Sequence, residues 1–274
     1  MFIPRHTLGF LVTGVIVVVG GCTRAPEPLT PEAASAKGDA LLREMSTNLS
    51  ALQTFTYTAD QRREVVTDGK KEEKHSSRKV TVRRPNAFTF TSTGDDRDAA
   101  GWYDGKHITL VSNRAKVWAR GPMPGTLDEA LDYISSEYAI QLPSADLLYS
   151  SPYDAFMTKD TTGGWVDTQK IGDRTCDHLA YKQASVDWEL WLNETSHLPC
   201  QVKILYKDAP QQPATTITYS DFDPKPSVTD DTFAAKVPDG FQRIKIMRHA
   251  TVNDPKVEEA TPTAATSGGP TPKK

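Results

Sequence analysis

Residues 172–207 read GDRTCDHLAYKQASVDWELWLNETSHLPCQVKILYK, with three runs of alternating side chains separated by short turn-forming breaks. In the middle run Trp188, Leu190 and Leu192 share one face, because successive side chains of a strand point to opposite faces of a sheet. The third run repeats this pattern with Val202 and Ile204. The stretch therefore predicts a three-stranded antiparallel meander with an apolar face that the rest of the chain must cover.

The composition is that of a globular chain. Its 274 residues are 38% hydrophobic and carry a net charge of -3, enough for one substantial core or two small ones. Nucleic-acid binders concentrate positive charge, whereas this chain is nearly balanced, with a pI of about 6.1. We therefore expect no nucleic-acid partner.

The N-terminus carries an export signal. An apolar run over residues 8–19 follows Arg5 and is too short to span a bilayer, but it suits the core of a signal peptide. It ends in Val19-Gly20-Gly21-Cys22, which resembles the bacterial lipobox, whose cysteine receives diacylglycerol before cleavage. We predict a signal peptide over residues 1–21.

Cleavage there would make a lipidated Cys22 the first residue of a tether over residues 22–30. Thr23, in place of an aspartate, resembles the outer-membrane sorting pattern, so we expect a periplasmic protein anchored to the outer membrane through Cys22. The alternatives are an uncleaved anchor and an ordinary signal peptide with a chance cysteine.

A first helix is predicted from Thr30, which can cap it, with Pro31 at its first position. Gly38 weakens its first half. Apolar residues recur at three- and four-residue spacing to about residue 52, which predicts an amphipathic helix: Leu41, Leu42, Met45, Leu49 and Leu52.

From residue 53 to residue 120 the apolar period changes to two. Turn signals separate the alternating runs at Asp68-Gly69, Gly94-Asp95, Asp104-Gly105 and Asn113, which predicts about six strands joined by hairpins. Residues 62–84 carry nine Lys or Arg against four acids. This basic run is either a docking surface for acidic lipid headgroups or an acidic partner, or a solvated hairpin.

A helical insert interrupts the strands. Thr126 and Glu129 form a capping-box pattern that predicts a helix to about residue 139, and Ser144 and Pro152 suit the starts of two short helices. Strands resume at residues 163–172, continue through the meander and return at residues 215–222. The predicted domain spans residues 31–248, and the Pro-, Thr-, Ala- and Lys-rich residues 249–274 predict a disordered tail.

Three motifs together carry a family resemblance: Trp102-Tyr-Asp-Gly-Lys106, Leu142-Pro-Ser-Ala-Asp-Leu-Leu-Tyr149 and Asp187-Trp-Glu-Leu-Trp191. In this order, between about Leu41 and Ile244, they resemble the domain-of-unknown-function 2092 family of predicted periplasmic proteins. That family is similar in turn to the LolA, LolB and LppX group. The resemblance implies an α+β fold, an unclosed antiparallel β-barrel of about 10–11 strands, with an N-terminal helix and a helical insert covering its concave face.

The resemblance also implies a hydrophobic cavity, so we expect a lipoprotein that binds a lipid or acyl chain, with no catalysis and no cofactor. A structural or partner-binding envelope lipoprotein with a filled core and no ligand is the alternative, and the sequence does not identify a protein partner. The residues expected around the cavity are apolar and lie on the first helix, the insert and the meander: Leu42, Met45, Leu49, Leu131, Ile134, Leu147, Leu148, Trp188 and Leu190.

Signals for catalysis or metal binding are weak. Ser76-Ser-Arg-Lys79 matches S-x-x-K but lacks the partner motifs of acylating serine enzymes. The histidines form no H-x-x-x-H pair, so no zinc ligand set is predicted. A cation at Asp177-His178 or at the aspartates 95, 96 and 98 is less favoured than a lone strand histidine and a charged turn.

Cys176 and Cys200 form an even pair, which favours a disulfide in an oxidising compartment. Regular pairing opposes it, because both cysteines would lie opposite Asn193 from different sides. Two strand spacings amount to about 9–10 Å, beyond the Cα limit of about 7 Å for a bridge. A bent or slipped strand end would allow the bond, and buried free thiols are the alternative.

Overall fold

The computed structural model describes residues 28–138 and 145–246. All described helices and strands lie between Pro31 and Arg243, so a chain that begins at residue 23 retains every one of them. The predicted signal peptide, Cys22 and the tail over residues 249–274 lie outside the described residues.

The first helix, α1 (Pro31–Ala51), begins where the sequence predicts. The Oγ1 of Thr30 accepts a hydrogen bond from the N–H of Ala33 at 3.3 Å, and Pro31 occupies a first-turn position that needs no N–H donor. The apolar stripe of the helix is fully buried at Leu42, Met45 and Leu49.

Six strands follow, as predicted, and each predicted turn signal lies at or between the ends of two neighbouring strands. The central hairpin is long, with 14 residues in each of its two strands. The strands are β1 (Thr54–Thr67), β2 (Lys70–Arg83), β3 (Ala87–Gly94), β4 (Asp98–Tyr103), β5 (His107–Ser112) and β6 (Val117–Pro122).

The helical insert contains α2 (Leu127–Tyr138), a 3₁₀ turn (Ala145–Leu148) and α3 (Pro152–Phe156). The predicted capping box is formed: the N–H of Glu129 donates to Thr126 Oγ1 at 3.2 Å, and the N–H of Thr126 donates to Glu129 Oε2 at 3.1 Å. The predicted helix start at Ser144 lies outside the described residues, immediately before the 3₁₀ turn.

The second half of the sheet contains the predicted meander. Its strands are β7 (Thr162–Ile171), β8 (Arg174–Lys182), β9 (Val186–Asn193), β10 (Pro199–Tyr206) and β11 (Ala214–Asp223). Two further elements, α4 (Asp230–Phe233) and β12 (Gln242–Arg243), were not predicted. At four and two residues they are too short to leave a periodic pattern in the sequence.

The twelve strands form one open sheet in the order β12-β6-β5-β4-β3-β2-β1-β11-β10-β9-β8-β7. Neighbouring strands are antiparallel except β12, which pairs parallel with β6. The β1–β11 pair joins the N-terminal and C-terminal halves, and β12 and β7 form the two free edges. The predicted α+β class with an unclosed antiparallel barrel is confirmed, with one short strand more than expected.

The first helix and the helical insert cover one face of this sheet, here called the inner face. Two rows of registered residues show its apolar character: Phe55, Val82, Phe88, Tyr103 and Ile108 in the first half, and Leu179, Leu190, Val202 and Ile217 in the second. Both rows belong to a single buried cluster that includes α1, α2 and the 3₁₀ turn.

The outer face has a smaller core of its own. Ala100, Trp102 and Val111 are buried beneath the chain that follows α4, where Val237 and Phe241 pack on them. Because Trp102 and Tyr103 are successive residues of β4, one serves the outer core and the other the inner core. The C-terminal segment thus covers the outer face of β4–β6 before it reaches the β6 edge.

Candidate ligand-binding site

The nine residues predicted to surround a cavity all lie in the buried cluster of the inner face. Each is at most 5% exposed, and Leu42, Met45, Leu49 and Leu190 are fully buried. The structure brings the helix stripe, the insert and the meander together, as expected. The residues pack on one another, so their role as ligand contacts remains a prediction.

An apolar cavity lies further along the same inner face, beside these residues. It has a volume of about 390 Å³ and is bounded by β2–β6 and by the chain that follows β12. Its floor contains Phe90 and Leu110. In the register of β3–β6, Gly101 lies between these two residues and Ala119 follows Leu110. We call this space the inner-face cavity.

The floor of the inner-face cavity depends on Gly101. A Cβ built on Gly101 would overlap the ring of Phe90 and would approach Leu110 Cδ2 at 3.0 Å. The missing side chain lets the Phe90 ring lie across β4 towards β5. A flat apolar surface results, with no residue standing between Phe90 and Leu110.

The chain after β12 forms the remaining wall. The N–H of Ile244 donates to the carbonyl of Trp118 at 2.8 Å, which holds this segment on the edge of β6. Ile244, Lys245 and Ile246 then line the cavity. Ile244 is 46% exposed, so an apolar side chain lies at the opening.

Polar groups are concentrated on one side of the cavity. Arg78 on β2 and Ser92 on β3 lie opposite each other in the antiparallel register, and Arg97 in the β3–β4 turn reaches the same side. The Arg78 guanidinium lies 5.6 Å from the centroid of the Phe90 ring. Ser92 is 3% exposed, and its Oγ has no hydrogen-bond partner among the described residues.

The charge of Arg78 is in a poorly solvated place. Burial lowers the pKa of its guanidinium, and the positive charge of Arg97 lowers it further. Arginine nevertheless stays protonated near neutral pH. The inner-face cavity therefore carries two neighbouring positive charges at one end of an apolar space.

Two other cavities lie near the β7 edge. One, of about 890 Å³, is lined by the first turns of α1, Met157 and the start of β7, and the other, of about 370 Å³, is lined by Trp188 and Leu205. Tyr181 lines both, and its buried Oη has no hydrogen-bond partner among the described residues. Both cavities have more mixed walls, with Asp39 or Lys182 and Asp187 among their lining residues.

The structure contains the disulfide that the sequence left open. The Sγ atoms of Cys176 and Cys200 are 2.14 Å apart, and their Cα atoms are 6.8 Å apart. Cys176 lies opposite Asn193 as predicted, but the β9–β10 register shifts between Pro199 and Gln201. The irregular strand end at Cys200 shortens the separation that regular pairing would impose.

The structure explains the residues that gave weak signals for catalysis or metal binding. Ser76 and Lys79 are three residues apart on β2 and point to opposite faces, so they cannot act together. His178 stacks on Trp191 with ring centroids 4.5 Å apart and bonds to Asp167 and Glu189 at 3.1 and 2.9 Å. Within residues 28–138 and 145–246, no group of three His, Cys, Asp or Glu side chains is arranged to hold a metal ion.

Asp177, the neighbour of His178, points to the other face. Its carboxylate accepts a hydrogen bond from Trp165 Nε1 at 2.7 Å and lies 3.6 Å from Lys37 Nζ. The aspartates of the charged turn are also engaged: Asp95 accepts from the N–H of His75, Asp96 pairs with Arg63, and Asp98 accepts from Asn113.

The first family motif also has a structural explanation. The Tyr103 hydroxyl donates to the carbonyl of Pro124, and burial raises the pKa of Tyr103 to about 12. Asp104 accepts from the N–H groups of Lys106 and His107 at 2.9 and 2.7 Å, and Gly105 adopts a φ of 85° that favours glycine. The motif closes the β4–β5 turn and ties β4 to the start of the helical insert.

The basic run over residues 62–84 forms most of the β1–β2 hairpin. Several of its cations have acidic partners: Arg63 with Asp96, Lys71 with Glu64, Lys74 with Glu72 and Arg83 with Asp230. These exposed pairs are screened by water and contribute little to stability. Docking of an acidic partner on this hairpin remains a prediction.

Sequence reasoning did not find the inner-face cavity. Phe90 and Leu110 lie within the predicted strands of residues 53–120 and Arg78 lies in the basic run, but no sequence pattern marks Ser92 or Ile246. The alternation of β2 and β3 was the available signal. It places Arg78 and Ser92 on the face of Phe90, once the register of the two strands is known.

Within residues 28–138 and 145–246, no helix is both long enough and apolar enough to cross a membrane. No curated protein matches the sequence. Similar solved structures include the lipoprotein LppX of Mycobacterium tuberculosis, with 14% identity, a TM-score of 0.44 and coverage of 70% of this chain and 97% of that one.

A LolA superfamily protein from Nitrosomonas europaea is also similar, with 12% identity, a TM-score of 0.34 and coverage of 73% and 98%. The MucA/MucB complex of Pseudomonas aeruginosa gives 15% identity, a TM-score of 0.40 and coverage of 73% and 61%. At such values the likeness carries no information on ligand, partner or activity.

The family model is the informative comparison. It is described as "Predicted periplasmic protein (DUF2092)" and matches residues 38–247, which is more than half of the chain. The match covers α1 from residue 38 onward, the helical insert and the whole open sheet, and it agrees with the extent of the resemblance found in the sequence. The chain belongs to the DUF2092 family of predicted periplasmic proteins.

Proposed function

We propose that this protein binds a hydrophobic ligand, a lipid or an acyl chain, in the inner-face cavity. The observation that carries the proposal is an apolar space of about 390 Å³ beside a close-packed core. Protein interiors seldom leave voids much larger than a water molecule, and ligand pockets span about 300–1,000 Å³. Phe90, Leu110 and Ile246 supply the kind of surface that an acyl chain contacts.

The proposed ligand is the one expected from the sequence. Its proposed position is the inner-face cavity, which lies beside the nine residues predicted to surround a ligand. Those residues would contact it only where α1 or the helical insert stands away from the sheet. The structural alternative, a filled core without ligand, is favoured by the close burial of the same nine residues. An acyl chain in the inner-face cavity is compatible with such a core.

Location forms part of the proposal. The family description supports a periplasmic protein, and the lipobox-like sequence supports attachment to the outer membrane through Cys22. Cys22→Ala should abolish lipid attachment and globomycin-sensitive processing while the domain still folds. A Cys22→Ala variant that enters the detergent phase like the parent would contradict the anchor.

Binding is tested with the chain from residue 23 onward, which retains every described element. After delipidation it should bind the neutral dye N-phenyl-naphthylamine saturably. Ala119→Trp should weaken this binding, because Ala119 is buried on the cavity wall. Ala115→Trp is the matched control, since it adds the same bulk at an exposed turn of the same hairpin.

The outcomes separate the two functions. The parent should bind the dye saturably, Ala119→Trp should reduce this binding and Ala115→Trp should leave it unchanged. This result would support a ligand site in the inner-face cavity. Equal binding by both variants would place the ligand elsewhere. No saturable binding by the parent, together with no lipid found by mass spectrometry of protein purified from native membranes, would favour the structural or partner-binding alternative.

A further inference from the structure

The inner face changes character along the strands of the β1–β2 hairpin. Near the helices the inward residues are Phe55 and Tyr57 on β1, opposite Val82 and Val80 on β2. Further along the same face the β2 residue is Arg78. An elongated molecule on this face would therefore have an apolar environment at one end and a cationic one at the other.

The charged side chains that the structure describes in the lining of the inner-face cavity are all cationic. Arg78, Arg97 and Lys245 are cationic, and none of the described lining residues is an Asp or Glu. The Nε of Arg97 lies 3.7 Å from the carboxylate of Asp96. The same carboxylate lies closer to Arg63, at 2.6 Å from Nη2. Cations from β2, from a turn and from the C-terminal segment thus line one cavity, and the part of its wall that the structure describes contains no Asp or Glu.

A buried hydroxyl lies in the same place. Ser92 is 3% exposed, lines the cavity and has an Oγ without a hydrogen-bond partner among the described residues. A buried hydroxyl that makes no hydrogen bond is costly, so native proteins seldom leave one without a reason. Its position opposite Arg78 in the β2–β3 register is suited to a shared acceptor on a ligand.

We propose that the ligand of the inner-face cavity is an anionic amphiphile, whose carboxylate or phosphate ester binds Arg78, Arg97 and Ser92 while its chain lies on Phe90 and Leu110. Guanidinium groups match the planar geometry of carboxylate and phosphate oxygens. An anion beside both guanidinium groups would relieve the repulsion between their like charges. Lys245 at the opening would add a third, more exposed charge.

This inference rests on the proposed function, and the experiment separates their failures. The chain from residue 23 onward is saturated with N-phenyl-naphthylamine, which has no charge. Dodecanoate, dodecyl phosphate and dodecanol, which share one chain length, then displace the dye. The two anions should compete about ten-fold or more better than dodecanol, as expected for charge-assisted hydrogen bonds worth more than neutral ones.

Three variants locate the effect. Arg97→Gln and Lys245→Gln remove charges from residues that are only partly buried or exposed, and Ser92→Ala removes the buried hydroxyl. Each should weaken competition by the anions and leave dodecanol unchanged, with the largest loss of about ten-fold at Arg97. Arg62→Gln is the control. It removes one positive charge at an exposed position of the β1–β2 hairpin, outside the cavity.

Equal competition by dodecanol and the anions would overturn the inference while leaving the proposed function intact. An equal loss in Arg62→Gln and Arg97→Gln would also overturn it, because the effect would then be one of net charge. Failure of the dye to bind the parent at all would instead reject the proposed function. A preference for only one of the two anions would retain the inference and identify the head group.

Discussion

Gly38 on α1 lies against Gly164 on β7 so closely that a Cβ built on Gly38 would stand 2.7 Å from the Cα of Gly164. The approach is mutual, since a Cβ built on Gly164 would overlap the carbonyl oxygen of Ala34 on α1. Helix and strand backbones are in direct contact here. The glycine that weakens the helix locally is therefore what lets the helix reach the β7 edge of the sheet.

Replacing Gly38 with alanine tests this contact. In an isolated helix the change would stabilise by about 1 kcal/mol. In this protein we expect a loss of about 1–3 kcal/mol, because the neighbouring atoms are backbone and the helix must shift to make room. Denaturant unfolding measures the difference.

Gly125→Ala is the control, because a Cβ there meets no atom within 4 Å and its φ is not positive. A Gly38→Ala variant that is more stable than the parent would show that helix propensity outweighs the close approach.

Loss of the disulfide should weaken the meander. The bond closes a sequence separation of 24 residues and lies within a small outer-face cluster with Trp191. We expect the double variant Cys176→Ala with Cys200→Ala to lose about 2–4 kcal/mol of unfolding free energy. Thiol titration of the unfolded, unreduced parent should find neither cysteine free. Two free thiols in that sample would support the alternative of buried unpaired cysteines.

The general architecture was predictable because periodicity records which face of each element is buried. The meander, the six strands before the insert, α1 and the capping box at Thr126 all follow from local patterns. The features that were not predictable depend on contacts between distant segments. Gly38 meets β7, Cys200 lies at a register shift, and the short β12 exists only because it pairs with β6.

The candidate site also combines features that local patterns predict with features that depend on contacts between distant segments. Alternation alone places Phe90 and Leu110 on one face, but their separation by Gly101 and their cover by Ile246 require the three-dimensional structure. Conversely, the apolar residues chosen from the sequence are those with the strongest patterns. Strong patterns mark the centre of a core, which explains why Leu190 and its eight companions are buried together.

Asp146 should make stability depend on pH. It lies in the 3₁₀ turn, where burial raises the pKa of its carboxyl. Between the ordinary Asp pKa and this raised value the folded state binds more protons than the unfolded state. Stability therefore falls as pH rises through that interval, and the full penalty is present above the raised pKa.

Asp146→Asn removes the charge and should make the protein more stable than the parent at neutral pH, with the difference shrinking as the pH falls through that interval. Thermal unfolding across this range measures it. Asp154→Asn is the control, because it removes the same charge at an exposed residue of the neighbouring α3. A variant less stable than the parent at neutral pH would mean that the Asp146 carboxylate has a stabilising partner.

The role of the nine predicted cavity residues can be decided at Leu190. It is fully buried on β9, and its registered neighbours Leu179 and Val202 are buried with it. Overpacking a close-packed core costs about 1–3 kcal/mol, whereas a larger side chain that enters a void fills it at little cost. We expect Leu190→Trp to lower the unfolding free energy by that amount and to leave dye binding in the inner-face cavity unchanged.

Val166→Trp, at a residue of the β7 edge that is 50% exposed, controls for the added indole and should change neither property. The opposite result for Leu190→Trp is equally informative. Unchanged stability with lost dye binding would mean that the helices stand away from the meander and that a ligand lies on Leu190 and Trp188. Because the two arrangements predict opposite changes in two independent measurements, the single substitution separates a filled core from a ligand cavity.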